Sequence, residues 1–139
     1  MTDTIFVDTS ALFAVLDGDD DNHQRALRAW SSMVDRLEVD PGAAITHSGV
    51  VIESAALVQR RLGMDATRDL LETIVPSFTV VWIDEQIHRL AVAAMLAAGK
   101  RQVSLVDWTS FTVMRDRAIT HAFAFDNDFE RQGFQQFEG

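Results

Sequence analysis

The chain contains no cysteine. A disulfide framework and a thiolate metal site are therefore excluded. Lysine is almost missing: Lys100 stands alone, and the other basic residues are arginines. Basic charge as a whole is short, with 12 Lys and Arg against 21 Asp and Glu and a formal net charge of −9. That balance argues against a protein held to nucleic acid by a broad basic surface, because such binding sets Lys and Arg against phosphates. It leaves open an enzyme that touches nucleic acid briefly, through a metal. The longest apolar stretch, near "LAVAAMLAAG", is too short to span a bilayer. The first residues carry no positive charge and no signal-peptide pattern. Repeats, low-complexity linkers and composition breaks are missing as well. The expectation is one domain over residues 1–139, soluble and cytoplasmic. With 47% hydrophobic residues, it can build a core without staples.

What is present alternates. "TIFV" (4–7) reads as a short buried strand, followed by a helix over 9–16. "DGDDDN" is a loop, and Asp21 with Gln24 marks a helix start. That second helix carries Ala26, Leu27, Trp30, Val34 and Leu37 at helical spacing. After the turn at "DPG", "AAIT" (43–46) is a second strand, and a third helix spans 48–62 with Gly63 ending it. A fourth helix over 65–74 stops before Pro76. "FTVVWI" (78–83) is a third strand and 84–98 a fifth helix. Ser104 starts a sixth helix that ends near Ala118, and "AFAF" (122–125) is a fourth strand. The tail holds a turn of helix and an edge strand at "FQQF". Strands alternating with helices predict an α/β fold with a parallel sheet covered on both faces.

In such a fold ligands sit beyond the strand carboxyl ends. Asp8 follows the first strand and Asp126 the fourth. Glu53 lies within about two turns of the start of the helix that leaves the second strand. Asp107 lies in the first turn of the helix that leads into the fourth. Four carboxylates far apart in sequence are thus expected at one edge, and Asp128 is a candidate fifth. Each also has a plainer reading. Asp8 reads as an N-cap, and Asp107 closes a capping box with Ser104. Asn127 and Glu130 make a similar box, with Asp126 and Asp128 as first-turn acids. Glu53 interrupts "GVVIESAALV" and sits either on a thin solvent stripe or in a cleft. Gathered like charges need a cation or a proton. Oxygen ligands without His or Cys suit Mg²⁺ or Mn²⁺. A carboxylate-held metal of this kind suits a phosphodiester substrate.

These segments resemble those of the PIN-domain endoribonucleases, in particular the VapC-like toxins of bacterial toxin–antitoxin pairs. "FVDTSAL" is similar to the family's opening strand and first acid, at Asp8. "VVIESAALVQRRLG" resembles the helix bearing the glutamate, at Glu53. "VSLVDWTSFTVMRDRAI" resembles the segment of the third acid, Asp107, and "AFAFDNDFERQGF" the closing motif with the fourth, Asp126. Where relatives often have His in that motif, this chain has Asp128. The resemblance covers nearly the whole chain. It implies a three-layer α/β/α sandwich and cleavage of RNA, often tRNA or rRNA, with Mg²⁺ or Mn²⁺. It also implies a homodimer held by helices and neutralised by a small protein antitoxin. In that picture Asp8, Asp107 and Asp126 hold the metal, and Glu53 binds it or orients a water. Thr9 and Ser10 either cap the first helix or hydrogen-bond a phosphate oxygen or a metal-bound water.

Other features fit less well. Asp17, Asp19 and Asp21 suggest a calcium loop, but its twelfth position is Arg28 rather than a bidentate Glu. His23 and His47 are candidate ligands or bases, although lone histidines are more often structural, and Trp30, Trp82 and Trp108 read as core or dimer contacts. Arg60, Arg61, Arg101, Arg115 and Arg131 are candidates for RNA phosphates or parts of solvated helix faces. A phosphoaspartyl hydrolase using Asp8 needs a second acid where Ser10 stands. A response regulator needs a lysine after a late strand, whereas Lys100 precedes a helix. A catalytically silent scaffold on the same fold is separated from the nuclease by metal-dependent RNA cleavage.

Overall fold

The computed structural model describes residues 3–139. Two of its strands are short, mostly apolar runs covered on both faces, the environment that favours unbroken apolar sequence. All of β1 (Ile5–Val7) and all of β2 (Ala44–His47) are buried. With β3 (Thr79–Val81), β4 (His121–Phe123) and β5 (Gln135–Gln136) they form one sheet in the order β3-β2-β1-β4-β5. Every neighbouring pair is parallel. β2 and β3 extend the sheet to one side of β1, and β4 and β5 to the other. The winding therefore reverses between β1 and β4, and in open parallel sheets the crevice beyond such a reversal is the ligand site. Val7 pairs with Phe123, so the two strands end level there.

Two helices, α1 (Thr9–Leu16) and α2 (His23–Val39), join β1 to β2, and α3 (Ser48–Leu62) and α4 (Met64–Asp69) lead toward β3. The link to β4 is made by α5 (Glu85–Ala98) and α6 (Leu105–Asp116), and α7 (Asp128–Arg131) precedes β5. Aromatic contacts mark the two faces of the sheet. On one, Phe6 packs on Phe129 of α7 at 6.2 Å, and Phe129 meets Phe111 of α6 edge-on at 5.0 Å. On the other, Phe123 meets Phe137 at 6.2 Å, and Arg36 of α2 lies 5.1 Å over that ring. The sandwich has three layers, as expected. No helix among the described residues is long and apolar enough to cross a membrane.

Several boundaries differ from expectation. The fourth helix does not stop before Pro76; it passes through a π turn at Leu70–Ile74 into a 3₁₀ turn at Val75–Ser77. Pro76 falls in the first positions of that turn, where a missing N–H leaves nothing unsatisfied. The second helix begins at His23 without a side-chain cap, because Asp20 rather than Asp21 turns the chain, its Oδ1 accepting the Asn22 N–H at 2.8 Å. The third strand is shorter than 78–83, and Trp82, read as a core or dimer contact, is 76% exposed. The fourth strand lies earlier than 122–125, so Asp126 stands three residues past its end.

His47 links β2 to α3 and settles a residue that the sequence left between ligand and scaffold. Its Nδ1 accepts the N–H groups of Gly49 and Val50 at 3.0 and 3.3 Å. The proton therefore sits on Nε2, which donates to Ser110 Oγ at 2.9 Å. Burial pushes the His47 pKa down to about 4, so the ring is a neutral cap. A Cβ on Gly49 would come within 2.8 Å of His47 Cε1. Gly49→Ala is accordingly expected to cost about 1–3 kcal/mol of stability. A lowered urea midpoint with unchanged slope would register it, and an unchanged midpoint would mean that the ring yields at no cost.

Candidate metal centre

The crevice at the β1/β4 reversal is built from helix starts. Asp8 leaves β1 with extended backbone and caps α1. Its Oδ2 accepts the Ser10 N–H at 3.2 Å and the Ser10 hydroxyl at 2.7 Å. The same Ser10 Oγ accepts the Phe125 N–H at 2.9 Å. One hydroxyl thus ties the exit of β1 to the exit of β4. Oδ1 of Asp8 is buried and has no hydrogen-bond partner among the described residues. A buried carboxylate oxygen left bare is costly unless something else satisfies it.

Asp107 forms the expected capping box. It accepts the Ser104 N–H at 3.3 Å, while its own N–H donates to Ser104 Oγ at 3.2 Å. Asp126 Oδ1 accepts the Asp128 N–H at 2.9 Å, which folds the segment into a tight turn. The Asn127 box does not form, since its side chain makes no cap bond. Glu53 is carried on α3, whose next residue, Ser54, donates to Thr9 Oγ1 of α1 at 3.0 Å. That buried bond ties the two helices together, and Glu53 beside it lines the cleft rather than a solvent stripe.

Asp8, Glu53, Asp107 and Asp126 all line one cleft of about 480 Å³. One oxygen each from Asp107, Asp126 and Asp128 lie within 4.8 Å of one another. The structure therefore brings the acids expected at this edge together. Asp128 differs in that its Oδ1 also accepts from Arg131 at 3.0 Å. Capping and clustering coexist at Asp8 and Asp107, because a cap uses one face of a carboxylate and leaves the other free.

Crowding and burial show in the acidities. Burial pushes the Asp8 carboxyl up to about 6, with Glu53 and Asp126 adding to it against the two Ser10 hydrogen bonds. Asp107 is pushed up to about 7, by burial first and then by the charges of Asp8 and Asp126. Asp126 is raised by burial first and by the Asp128 carboxylate, against the hydrogen bond from the Asp128 N–H and the charge of Arg131. An all-oxygen donor set, a bare buried Asp8 oxygen and three converging carboxylates fit a hard divalent cation.

Sequence reasoning did not foresee the Ser10–Phe125 bridge, and could not single out Arg60, which lies on the wall of the same cleft. Neither has a local signature: one depends on strand order, the other on which way α3 faces. The loop from Asp17 to Asn22 closes turns through its own carboxylates, as at Asp17 Oδ1 with the Asp19 N–H at 3.0 Å.

The sequence profile of the PIN domain matches residues 5–135. The chain is 34% identical over 134 residues to the 23S rRNA-specific endonuclease VapC20 of Mycobacterium tuberculosis, covering 94% of this chain and 95% of that protein. The crystal structure of M. tuberculosis VapC20, a sarcin–ricin loop cleaving toxin, superposes with a TM-score of 0.81 at 32% identity, over 94% of this chain and 96% of that one. FitAcB from Neisseria gonorrhoeae shares the fold, with a TM-score of 0.69 at 17% identity over 96% of each chain. With the PIN-domain profile matched over residues 5–135 and this likeness to VapC20 in sequence and fold along nearly its whole length, the chain belongs to the PIN-domain family.

Proposed function

We propose that the protein is a metal-dependent endoribonuclease, the toxin of a toxin–antitoxin pair, acting in the cytoplasm as a single domain over residues 1–139. The observation that carries this reading is the convergence of Asp8, Glu53, Asp107 and Asp126 on one cleft. Likeness to a 23S rRNA-specific endonuclease over 94% of the chain favours rRNA over tRNA as substrate. Asp8, Asp107 and Asp126 would hold Mg²⁺ or Mn²⁺, with Asp128 beside them. When bound, such a cation polarises a phosphoryl oxygen and lowers the pKa of an attacking water. The chain's own part is positional. Ser10 fixes Asp8 and Ser104 fixes Asp107, so the two carboxylates keep their aim when the charge at the site changes. Glu53 makes no hydrogen bond to a described residue and is free to orient a water. Of the alternatives, the phosphoaspartyl hydrolase and the silent scaffold have no observation on their side.

A homodimer is supported by large apolar side chains left exposed, among them Ile52, Trp82 and Leu90. A small antitoxin that inserts an arginine would suit the cleft, because its planar fork pairs with carboxylates in two hydrogen bonds. Purified protein incubated with ribosomal RNA and Mn²⁺ is expected to give discrete cuts that chelator abolishes. Intact rRNA and tRNA in both Mg²⁺ and Mn²⁺ would sink the reading. Expression in cells is expected to arrest growth until the antitoxin is supplied.

A further inference from the structure

The cleft is not uniformly acidic. Glu53, Ala56, Leu57 and Arg60 all line it. Their spacing is that of one helix face, so α3 presents a single stripe to the cleft. The stripe opens on a carboxylate and closes on a guanidinium, seven residues or about 10 Å further along the helix. Ala56 and Leu57 between them carry no charge.

Arg60 also stands apart from the other arginines read as RNA contacts. Arg131 is paired with Asp128. Arg115 donates to Gln132 and lies over the Phe134 ring. Arg61 and Arg101, exposed as Arg60 is, lie outside the cleft lining. Arg60 alone of the five faces the cleft, and it forms no ion pair among the described residues. A chain of net charge −9 offers acids widely, yet this cleft guanidinium is paired with none among the described residues, which leaves it available for an external anion.

We propose that Arg60 is the phosphate-positioning residue of the cleft, gripping the RNA backbone at a phosphate next to the one that is cut. This rests on the endoribonuclease reading above. The guanidinium fork takes two non-bridging oxygens, which a lysine at the same place cannot do. The uncharged floor at Ala56 and Leu57 lets the backbone cross from Arg60 to the carboxylates without meeting a repelling charge. Arg60 thereby sets where the strand lies, and the acids set where it is cut.

The test is steady-state cleavage of an rRNA fragment in Mn²⁺ by wild type, Arg60→Gln, Arg60→Lys and the control Arg61→Gln. A grip on a non-scissile phosphate is made equally in ground and transition states, so its loss raises KM and leaves kcat unchanged. Arg60→Gln is expected to raise KM by about tenfold to a hundredfold, the range for a hydrogen bond to a charged group. It should also flatten the slope of log kcat/KM against log salt by about 0.7, one phosphate contact on a single strand. Arg60→Lys should keep the salt slope and recover KM only in part. The Mn²⁺-induced rise in melting temperature should match wild type. Active wild type with an unchanged KM in Arg60→Gln overturns the proposal. So does a fall in kcat together with a lost Mn²⁺ response, which would make Arg60 a support of the metal centre. A wild type that cuts no RNA removes the endoribonuclease reading itself, and the proposal with it.

Discussion

Asp107→Asn and Asp8→Asn are each expected to lower RNA cleavage by at least ~10³-fold while leaving the protein folded. A hard cation binds a neutral amide poorly. Several kcal/mol of transition-state stabilisation depend on it, and about 1.4 kcal/mol corresponds to tenfold in rate. Folding should survive because the amides keep the local roles. Asn at position 8 remains a good N-cap and can still accept from Ser10. Asn at position 107 can still accept the Ser104 N–H. Both changes also remove a charge whose burial is costly. Circular dichroism and melting curves check the fold, and gel-resolved cleavage checks the activity. Asp17→Asn, in the turn-forming loop outside the cleft, is the control and should cut as wild type does. Full activity in both cleft variants would falsify the assignment of these acids.

Metal and pH are expected to act on stability in opposite ways. In chelator, the melting temperature should fall as pH rises from about 5 to 7.5. Asp8 titrates near 6 and Asp107 near 7 in the folded protein, against 3.8 in the reference state. The folded protein therefore holds protons that the unfolded chain has already lost, and stability falls with rising pH where the folded state binds more protons. His47 works the other way. Its folded pKa near 4 lies below the ordinary 6.5, so its contribution is lost as pH falls through that interval. Two carboxyls outweigh one imidazole between pH 4 and 6, and above 6.5 only the carboxyls act. Mn²⁺ or Mg²⁺ at pH 7.5 should reverse the loss. A hundredfold excess over Kd stabilises by about 2.7 kcal/mol, which is on the order of 10 °C for a domain of this size. The rise should shrink at pH 5, where protons compete for the same oxygens. Asp126→Asn should leave the chelated protein as stable as wild type or more so, and should reduce the metal response. Scans belong at fixed ionic strength, because salt alone screens repulsion. If Asp126→Asn loses several kcal/mol in chelator yet keeps the full metal response, Asp126 is a structural turn and the cluster is wrongly drawn.

Much of this was legible in the sequence, for a local reason. A buried strand needs an apolar run, and a helix start needs an acceptor within a few residues, so Ile5–Val7, the Asp8 cap and the Ser104–Asp107 box follow from neighbours in the chain. The errors were local as well. A π turn carries the chain through the residues before Pro76, and packing of Leu70 and Val75 outweighs the proline signal. For Glu53 the apolar pattern around it allowed two faces, and the packing of α3 against its neighbours, the Ser54–Thr9 bond included, puts it in the cleft.

The sequence by itself determined the alternation of strands and helices and the placing of acids at their ends, because both depend on residues a few positions apart. Strand order was decided only in the tertiary structure. Asp8 and Asp126 face one crevice because β4 lies beside β1, a pairing across more than a hundred residues that no local pattern encodes. The same long-range packing strips water from Asp8, leaves its Oδ1 bare and raises its pKa. It also puts Arg60 on the cleft wall and leaves Arg61, its neighbour in sequence, off it. Residue type fixes what a group can do, whereas burial and neighbours fix its charge and its partners, and those exist only once the chain has closed on itself.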